Sequence, residues 1–415
     1  MSAGQSSTLQ ALALGARGAG KIALDTEFMG EGRYRTLLCL VQLAIPDGAD
    51  GSERIEIIDP LAEDLDGAPL AAILEDPAVQ VVVHAGRQDI ALLRRRFGAE
   101  IRNVFDIQVA AGFAGMGAQS SYESLLAEIL GVRLAKSASF TRWDARPLSP
   151  EQLSYAREDV VQLLELAAEL ERRLDGLGRL QWAYEECEPL ERSSDERDPE
   201  GIFARLPRIG GLNASSRPIA RELVKWRERT AARQDRPVQS VLSDAALMEI
   251  AKRKPSSRNE LERIRGLGAG AMRRRADELL EVVERARAHP PDPPPQRARP
   301  PLPKPEDAPL VSLGEALLRA RAGEAGLAYE LLATRADLQA IVAARRAPAA
   351  GAGAGAAGAL ADVRTLRGWR RELVGEELLE LLDGRVSLSV DGRRLQVAVR
   401  GAPGAPAKDG ERTDR

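Results

Sequence analysis

Four acidic residues and one tyrosine in the first 160 residues have the types and the spacing of a site that could hold metal ions. Asp25 and Glu27 lie two residues apart in an apolar run that predicts a strand, so both carboxylates project from one face. Two neighbouring carboxylates among apolar residues are costly unless a cation neutralises them. Oxygen ligands select hard cations, and two Mg²⁺ or Mn²⁺ ions can stabilise the attacking and leaving oxygens of phosphodiester cleavage.

Two later segments supply the other groups. Asp89 follows a β-branched run and Gly86, where a strand passes into a helix, and it falls in the first helical turn. An aspartate in a first turn also favours the helix electrostatically, so this position alone has two interpretations. Tyr155 and Asp159 lie at i and i+4 on one face of a long helical segment. We predict that the four acids and the tyrosine meet at one site.

The order of these motifs resembles the tyrosine-type branch of the DEDD 3′–5′ exonucleases, and within it the ribonuclease D family. Asp-Thr-Glu-Phe at 25–28, followed by Leu-Cys-Leu-Val-Gln-Leu at 38–43, is similar to the first two strands of that family. His-Ala-Gly at 84–86 is similar to the start of its second motif, and residues 136–159 resemble its third. Residues 29–35 depart from the tyrosine- and proline-containing loop of other members.

The resemblance implies a hydrolase that removes nucleoside 5′-monophosphates from RNA 3′ ends, as in tRNA maturation, with two Mg²⁺ or Mn²⁺ ions. Asp25 would bridge both ions, and Glu27 and Asp159 would complete the one that activates water. Asp89 would hold the other ion through its water shell. Tyr155 would orient the attacking water through its hydroxyl, which has a reference pKa near 10 and is a poor base at neutral pH.

Six further residues are candidates for contacts with the RNA strand. Phe28 and Trp143 are suited to stacking on terminal bases, which is the sequence-tolerant way to hold single strands. Core packing explains Phe28 equally well, and His84 after a buried strand fits a structural role as well as one near the metal ions or the leaving group. The polar candidates for sugar or phosphate contacts are Gln42, Lys136 and Arg146.

The hydrophobic pattern around these residues predicts an α/β domain. Strands are predicted at 22–28, 37–44 and 54–58, with short connections that favour antiparallel neighbours. The later elements are helix 68–75, strand 79–84, helix 87–97, strand 101–105 and helices 106–115, 121–130 and 149–174. Antiparallel strands followed by strand-helix alternation give a mixed sheet flanked by helices. This is similar to the ribonuclease H-like architecture of the family.

The chain has 415 residues, which exceeds one ordinary core, so several units are expected. Its two cysteines, Cys39 and Cys187, give no disulfide framework and fit a reducing cytosol. No apolar run approaches the roughly 20 residues of a membrane span. The first residues lack a basic region ahead of an apolar stretch, so we expect no secretory signal and a cytoplasmic location.

Residues 217–288 are helical in pattern and basic. They contain 18 Lys and Arg against 11 Asp and Glu, so the rest of the chain carries ten net negative charges on a total of −3. This asymmetry is typical of one unit that does chemistry beside another that holds a polyanion, although a solvated Arg-rich surface has the same composition. The segment resembles an HRDC domain. Its Ile-Arg-Gly-Leu-Gly turn at 264–268 could present backbone N–H groups to a phosphate or simply end a helix.

We therefore predict six segments. They are an exonuclease domain at 1–178, a connector at 179–214, an HRDC domain at 215–288, a linker with ten prolines at 289–309, a mainly helical region at 310–400 that resembles a second HRDC unit and contains a hairpin at 386–392, and a disordered tail at 401–415. The expected partner is RNA with single-stranded 3′ ends, including tRNA precursors. Two other functions fit the pattern. One is an exonuclease that acts on DNA, because the acids do not read the 2′-OH. The other is a non-catalytic RNA-binding protein with the same fold.

Overall fold

The structure is a computed structural model that describes residues 2–47, 52–134, 142–267, 269–291, 304–346, 363–392 and 394–399. Lys136 and the predicted tail at 401–415 lie outside the described residues, as does most of the proline-rich linker. Within these described ranges no helix is long and apolar enough to cross a membrane.

The elements follow one another along the chain in these ranges. The strands are β1 (Lys21–Met29), β2 (Leu37–Pro46), β3 (Glu53–Ile58), β4 (Gln80–Val83), β5 (Val104–Asp106), β6 (Val386–Asp391) and β7 (Arg394–Val399). The α-helices are α1 (Ser2–Ala19), α2 (Ala68–Leu74), α3 (Arg87–Phe97), α4 (Ile107–Phe113), α5 (Tyr122–Leu125), α6 (Pro150–Glu158), α7 (Leu163–Gly176), α8 (Leu180–Cys187), α9 (Pro199–Ala204), α10 (Arg217–Gln234), α11 (Val238–Val241), α12 (Asp244–Arg253), α13 (Arg258–Glu262), α14 (Ala269–Arg287), α15 (Ala308–Ala325), α16 (Tyr329–Leu332), α17 (Arg335–Arg346), α18 (Gly368–Arg370) and α19 (Glu376–Leu382).

Five strands form one mixed sheet in the order β3-β2-β1-β4-β5. β2 is antiparallel to β1 and to β3, whereas β4 is parallel to β1 and to β5. The short connections among the first three strands permit antiparallel pairing, and the helical connections before and after β4 permit the parallel pairs. The predicted mixed sheet flanked by helices is confirmed. Its central strand is β1, which carries the Asp-x-Glu pair.

The predicted single helix over 149–174 is wrong, because a turn at 159–162 separates α6 from α7. Ser149 begins α6 through a capping box: its hydroxyl accepts from the Gln152 N–H (3.2 Å), and the Gln152 side chain accepts from the Ser149 N–H (3.0 Å). Asp159 lies at the C-cap of α6. Apolar residues keep a helical spacing across the turn, so periodicity gave no sign of the break.

The helix α1 precedes the sheet and has no counterpart among the predicted elements. Its buried apolar residues recur at helical spacing and are Leu9, Leu12, Ala13 and Ala16. Arg17 near its end forms an ion pair with Asp76 (3.0 Å). The hydrophobic spacing of this helix was therefore readable in the sequence.

The helices α9 to α14 pack around a core in which Ile219 and Leu223 of α10 are fully buried. Two separate helices, α11 and α12, follow α10. The Ser243 hydroxyl accepts a hydrogen bond from the Ala246 N–H (3.2 Å) and so begins a new helix at this point. The predicted all-helical HRDC-like region is confirmed.

The loop between β1 and β2 contacts this helical core. Tyr34 packs against the core and donates its hydroxyl to Glu228 of α10 (3.0 Å). Arg197 forms an ion pair with the same buried carboxylate (2.6 Å), and its guanidinium lies over the Tyr34 ring. Arg33 pairs with Asp235 at the C-cap of α10 (2.8 Å). The segment that departs from the family's loop therefore links the sheet to α10.

The chain divides into two compact units. The first contains Met1–Asp106, Arg133–Ala167 and Cys187–Gln296, and therefore both the sheet and the HRDC-like helices. The second contains Ile107–Val132, Ala168–Glu186 and Arg297–Arg415. The domain boundaries drawn from the sequence stay a prediction.

The second unit is mainly helical, as predicted, and has an aromatic core. The rings of Trp182 and Trp369 stack with centroids 5.0 Å apart, and Phe113 meets Trp369 edge to face at 5.1 Å. β6 and β7 form the predicted hairpin, in which Asp391 pairs with Arg394 next to the turn.

Candidate active site

The central strand presents two acidic side chains on one face of the sheet. Asp25 pairs with Gln42 of β2, and Glu27 pairs with Leu40. Because alternate residues of a strand point to one side, both carboxylates project from the same face. The register of β1 and β2 shifts directly after Glu27, and Phe28, the next residue, is 39% exposed.

Asp159 joins these two acids from the end of α6. It lies one helical turn after Tyr155, and its backbone N–H donates to the Tyr155 carbonyl (3.3 Å). One carboxylate oxygen from each of Asp25, Glu27 and Asp159 lies within 4.8 Å of the others. The structure thus brings together three of the four acids that the sequence singled out.

Asp89 lies beside this trio in the first turn of α3. It is 7% exposed and accepts a hydrogen bond from the Thr26 hydroxyl. Burial raises the pKa of Asp25 and of Glu27, and the negative charge of Asp89 raises both further. The four carboxylates therefore form one electrostatic cluster. Thr26 is absent from the sequence prediction, and its position between two acids was the signal that could have found it.

Burial and mutual repulsion disfavour the charged forms of these acids. Burial raises the pKa of Asp25 well above its ordinary range, and the charges of Asp89, Asp159 and Glu27 raise it further. Burial, followed by the charges of Asp159 and Asp89, raises the pKa of Glu27 to about 8. A bound cation would reverse these effects, because it replaces repulsion with attraction. The donors in this cluster are all oxygens, which fits a hard divalent cation.

The metal-free protein should lose stability as the pH rises through the range in which Glu27 ionises. Folded Glu27 keeps its proton up to a pKa of about 8, whereas an unfolded glutamate releases it near about 4.3. The folded state binds the extra proton between these values, so the stabilisation is complete below the lower pKa and lost above the higher one. In EDTA, urea unfolding should give a free energy of unfolding a few kcal/mol lower at about pH 8.5 than at about pH 5, since one pKa unit corresponds to about 1.4 kcal/mol.

Glu27→Gln is the matched control, because the amide cannot ionise and keeps nearly the same shape. Its free energy of unfolding in EDTA should depend less on pH than that of the wild type. Identical pH profiles for the two proteins would contradict the raised pKa of Glu27.

Tyr155 is partly buried on α6, one turn before Asp159. Its ring packs against Trp143, with centroids 5.9 Å apart and an interplanar angle of 41°. Cys39, Leu40 and Ala156 are the other buried members of this small core. The packing restricts the orientation of the ring, which is what a residue that positions a water molecule requires.

The predicted RNA-contacting residues Trp143 and Arg146 have extensive contacts within the protein. Trp143 is 4% exposed. Arg146 donates to both carboxylate oxygens of Asp59 (2.6 and 2.7 Å) and to the backbone carbonyls of Trp143 (2.8 Å) and Cys39 (2.9 Å). These bonds hold the segment before α6 against β2, so the geometry favours a supporting role for both side chains.

The other candidates differ in exposure. Gln42 is fully buried on the face that carries Asp25, and neither atom of its amide has a hydrogen-bond partner in the described structure. His84 is half-buried directly after β4, and Phe28, the residue after Glu27, is partly exposed. Phe28 is therefore the aromatic candidate whose ring is open to an RNA base.

Comparisons with known proteins match two separate parts of the chain and also nearly its whole length. A 3′–5′ exonuclease family model matches residues 2–175, and an HRDC domain model matches residues 216–283. The chain is 38% identical to the curated ribonuclease D of Acidiphilium cryptum over 384 residues, which cover 91% of each chain. It is 37% identical to the ribonuclease D of Granulibacter bethesdensis over 385 residues, or 92% of each chain.

Two solved structures extend these similarities. Escherichia coli RNase D, an exoribonuclease involved in structured RNA processing, has a TM-score of 0.75 and 29% identity, with 91% of this chain and 97% of that chain covered. The catalytic core of RRP6 from Trypanosoma brucei has a TM-score of 0.52 and 27% identity, with 68% of this chain and 77% of that chain covered.

Proposed function

The chain belongs to the ribonuclease D family and is a 3′–5′ exoribonuclease, and on this premise we propose that two divalent metal ions, Mg²⁺ or Mn²⁺, assist it in releasing nucleoside 5′-monophosphates one at a time. The observation that carries the proposal is the acid cluster, in which carboxylate oxygens of Asp25, Glu27 and Asp159 lie within 4.8 Å of one another. Asp89 stands beside them, held by Thr26.

The acids divide the work of holding the ions. Asp25 would be shared by both ions, Glu27 and Asp159 would complete one of them, and Asp89 would serve the other through its water shell. Bound Mg²⁺ or Mn²⁺ would lower the pKa of the attacking water and would neutralise negative charge on the leaving oxygen. Tyr155 orients the attacking water through its hydroxyl, and its contact with Trp143 keeps that hydroxyl in place.

The RNA 3′ end is held beside this cluster. Phe28 stacks on the terminal base, since it follows Glu27 directly in the chain and is partly exposed. The remaining candidates for contacts with sugar, phosphate or base are Gln42, His84 and Lys136. Trp143 and Arg146 act by holding the surrounding segment, as their contacts within the protein indicate.

A digestion series tests this function. A 5′-labelled single-stranded RNA and a DNA of the same sequence are each offered with a free 3′-hydroxyl or a blocked 3′ end. The free RNA should shorten in single-nucleotide steps and release 5′-monophosphates, whereas the blocked strands should persist. Internal cleavage, or 3′-monophosphate products, would contradict the proposal. Faster digestion of DNA would identify a DNA exonuclease, and binding without shortening a non-catalytic protein.

We further propose that the substrates include structured RNAs such as tRNA precursors in the cytoplasm, as the processing role of the Escherichia coli protein suggests. Support comes from a cavity of about 770 Å³ in the HRDC-like helices. Its charged lining residues are Arg208, Asp244, Glu249, Lys252, Arg253 and Arg265. Arg227 neutralises Asp244 (2.6 Å) and Arg253 neutralises Glu249 (2.5 Å), so the other cations give the cavity a positive balance.

Charge reversal of Lys252 and Arg265 to Glu in the full chain should weaken the binding of long RNA and leave kcat on a short oligonucleotide unchanged. Removal of the helices is a poorer test, because Arg33 and Tyr34 contact α10. For every phosphate that the variant no longer binds, the salt dependence of binding should flatten by a slope of about 0.7 for single strands. Fluorescence anisotropy at several salt concentrations measures both quantities.

Arg229→Glu is the matched control, because this exposed residue of α10 lies outside the lining of the cavity. It should change the binding of long RNA much less than the reversals at Lys252 and Arg265. Equal affinities and equal salt slopes in all these proteins would remove the cavity from RNA binding.

A further inference from the structure

Asp106, the last residue of β5, is a buried carboxylate that the acid cluster does not include. It is 2% exposed and pairs with Val83 at the end of the parallel strand β4. One of its oxygens accepts from the Ala85 N–H (3.0 Å), and the other accepts from the Gly86 N–H (2.9 Å). Hydrogen bonds to an ionised carboxylate are stronger than those between neutral groups, so this pair fixes the backbone of both residues.

The backbone that Asp106 holds is the tight connection from β4 to α3. Ala85 has φ of 53°, in the left-handed region that non-glycine residues rarely adopt. Gly86 is the N-cap of α3 and has no side-chain cap, and a Cβ there would lie 2.5 Å from a methyl carbon of Val83. The left-handed backbone conformation of Ala85 persists only where neighbouring groups impose it. The carboxylate of Asp106 supplies part of that constraint.

This connection sets the place of Asp89. Asp89 is three residues after Gly86, in the first turn of α3, and its position follows from where the helix begins. Its carboxylate is also held from β1 by the Thr26 hydroxyl. Two contacts therefore determine where Asp89 lies. Thr26 holds its carboxylate, and Asp106 holds the backbone at the start of its helix.

We propose that Asp106 is a positioning residue for the reaction, which holds the β4–α3 connection so that Asp89 meets its metal ion. The inference rests on the proposed function, because it requires Asp89 to take part in metal binding. Asp106 itself makes no contact with the RNA in this account, because both of its oxygens face backbone N–H groups.

Asp106→Asn tests the role directly. The amide has similar size, but its NH₂ group is a donor and cannot accept from a backbone N–H. Calorimetric titration of the full-length protein with Mn²⁺ should show a weaker affinity. The loss should be at most the about 10–100-fold that removal of a direct partner of a metal ligand causes, because Asp106 acts on Asp89 only through the start of α3. The kcat with Mg²⁺ should fall by a similar factor and recover partly at high Mn²⁺ concentration, while KM for RNA stays unchanged. Asp106→Ser, which like the amide keeps only one oxygen that can accept an N–H, should show a similar loss.

Val104→Ala is the control, because it removes buried apolar atoms from the same strand without touching the connection. It should lower thermal stability and leave Mn²⁺ affinity intact. Wild-type Mn²⁺ affinity in Asp106→Asn, or an equal loss in Val104→Ala, would overturn the proposal, as would failure of both Asp106 variants to fold.

Asp89→Asn separates the positioning role of Asp106 from the metal-binding role of Asp89. If it loses Mn²⁺ binding while Asp106→Asn does not, only the positioning role fails; if neither changes Mn²⁺ binding, the metal role of Asp89 fails as well.

Discussion

Asp25→Asn should lower kcat for RNA hydrolysis by at least about 10³-fold, while RNA binding stays close to that of the wild type. Asp25 lies on the central strand, and burial together with the charges of Asp89, Asp159 and Glu27 raises its pKa. The amide keeps the shape of the side chain but loses the charge that holds a cation. Metal ions contribute several kcal/mol of charge stabilisation in such reactions, and about 4 kcal/mol corresponds to about 10³-fold in rate.

Single-turnover kinetics with Mg²⁺ and anisotropy with a labelled RNA measure the two halves of this prediction. Asp64→Asn makes the same chemical change at an exposed position and should leave both quantities unchanged. EDTA should stop the wild-type enzyme, and Mn²⁺ should restore it. Substantial Mg²⁺-dependent hydrolysis by Asp25→Asn would show that the cluster is not the active site.

Tyr155→Phe should reduce kcat by about 10²–10⁴-fold, the range typical of a positioned proton-handling group. KM and thermal stability should change little, because phenylalanine keeps the ring contact with Trp143 and removes only the hydroxyl. A loss confined to kcat indicates an interaction that forms in the transition state. Steady-state kinetics and a thermal melt are sufficient measurements.

Tyr184→Phe is the matched control for this variant. It also removes a tyrosine hydroxyl that makes a hydrogen bond, here to Glu171 (2.7 Å) in the second unit. Its kcat should equal that of the wild type. If Tyr155→Phe also kept the wild-type kcat, Tyr155 would be a structural residue that supports Trp143.

The sequence carries enough information for the sheet and for the acids because both depend on short-range patterns. Asp25 and Glu27 share a face through strand alternation, and Tyr155 precedes Asp159 by one helical turn even though α6 ends there. The order of the motifs resembles that of a known family, and this order predicts that Asp25, Glu27 and Asp159 meet. The structure brings these three residues together.

Other features depend on partners that are distant in the sequence. Arg146 is a residue type that commonly binds phosphate, but its guanidinium donates hydrogen bonds to Asp59, which lies 87 positions away in the sequence. The departure at Arg33 and Tyr34 is visible in the sequence, whereas its contacts with α10 lie about 200 positions away. The break after α6 left the hydrophobic spacing intact, so no local pattern revealed it.

Calorimetric titration with Mn²⁺ of the wild type and of Asp25→Asn, without RNA, tests the central claim most directly. If the four carboxylates hold two ions and Asp25 is shared by both, the wild type should bind two Mn²⁺ per chain. Asp25→Asn should then lose measurable affinity for both ions, while its melting temperature in EDTA stays at or above that of the wild type, because the neutral amide avoids the cost of burying an acid at this position. Two Mn²⁺ ions bound to Asp25→Asn with wild-type affinity would contradict the assignment of this cluster as the metal site of the exoribonuclease.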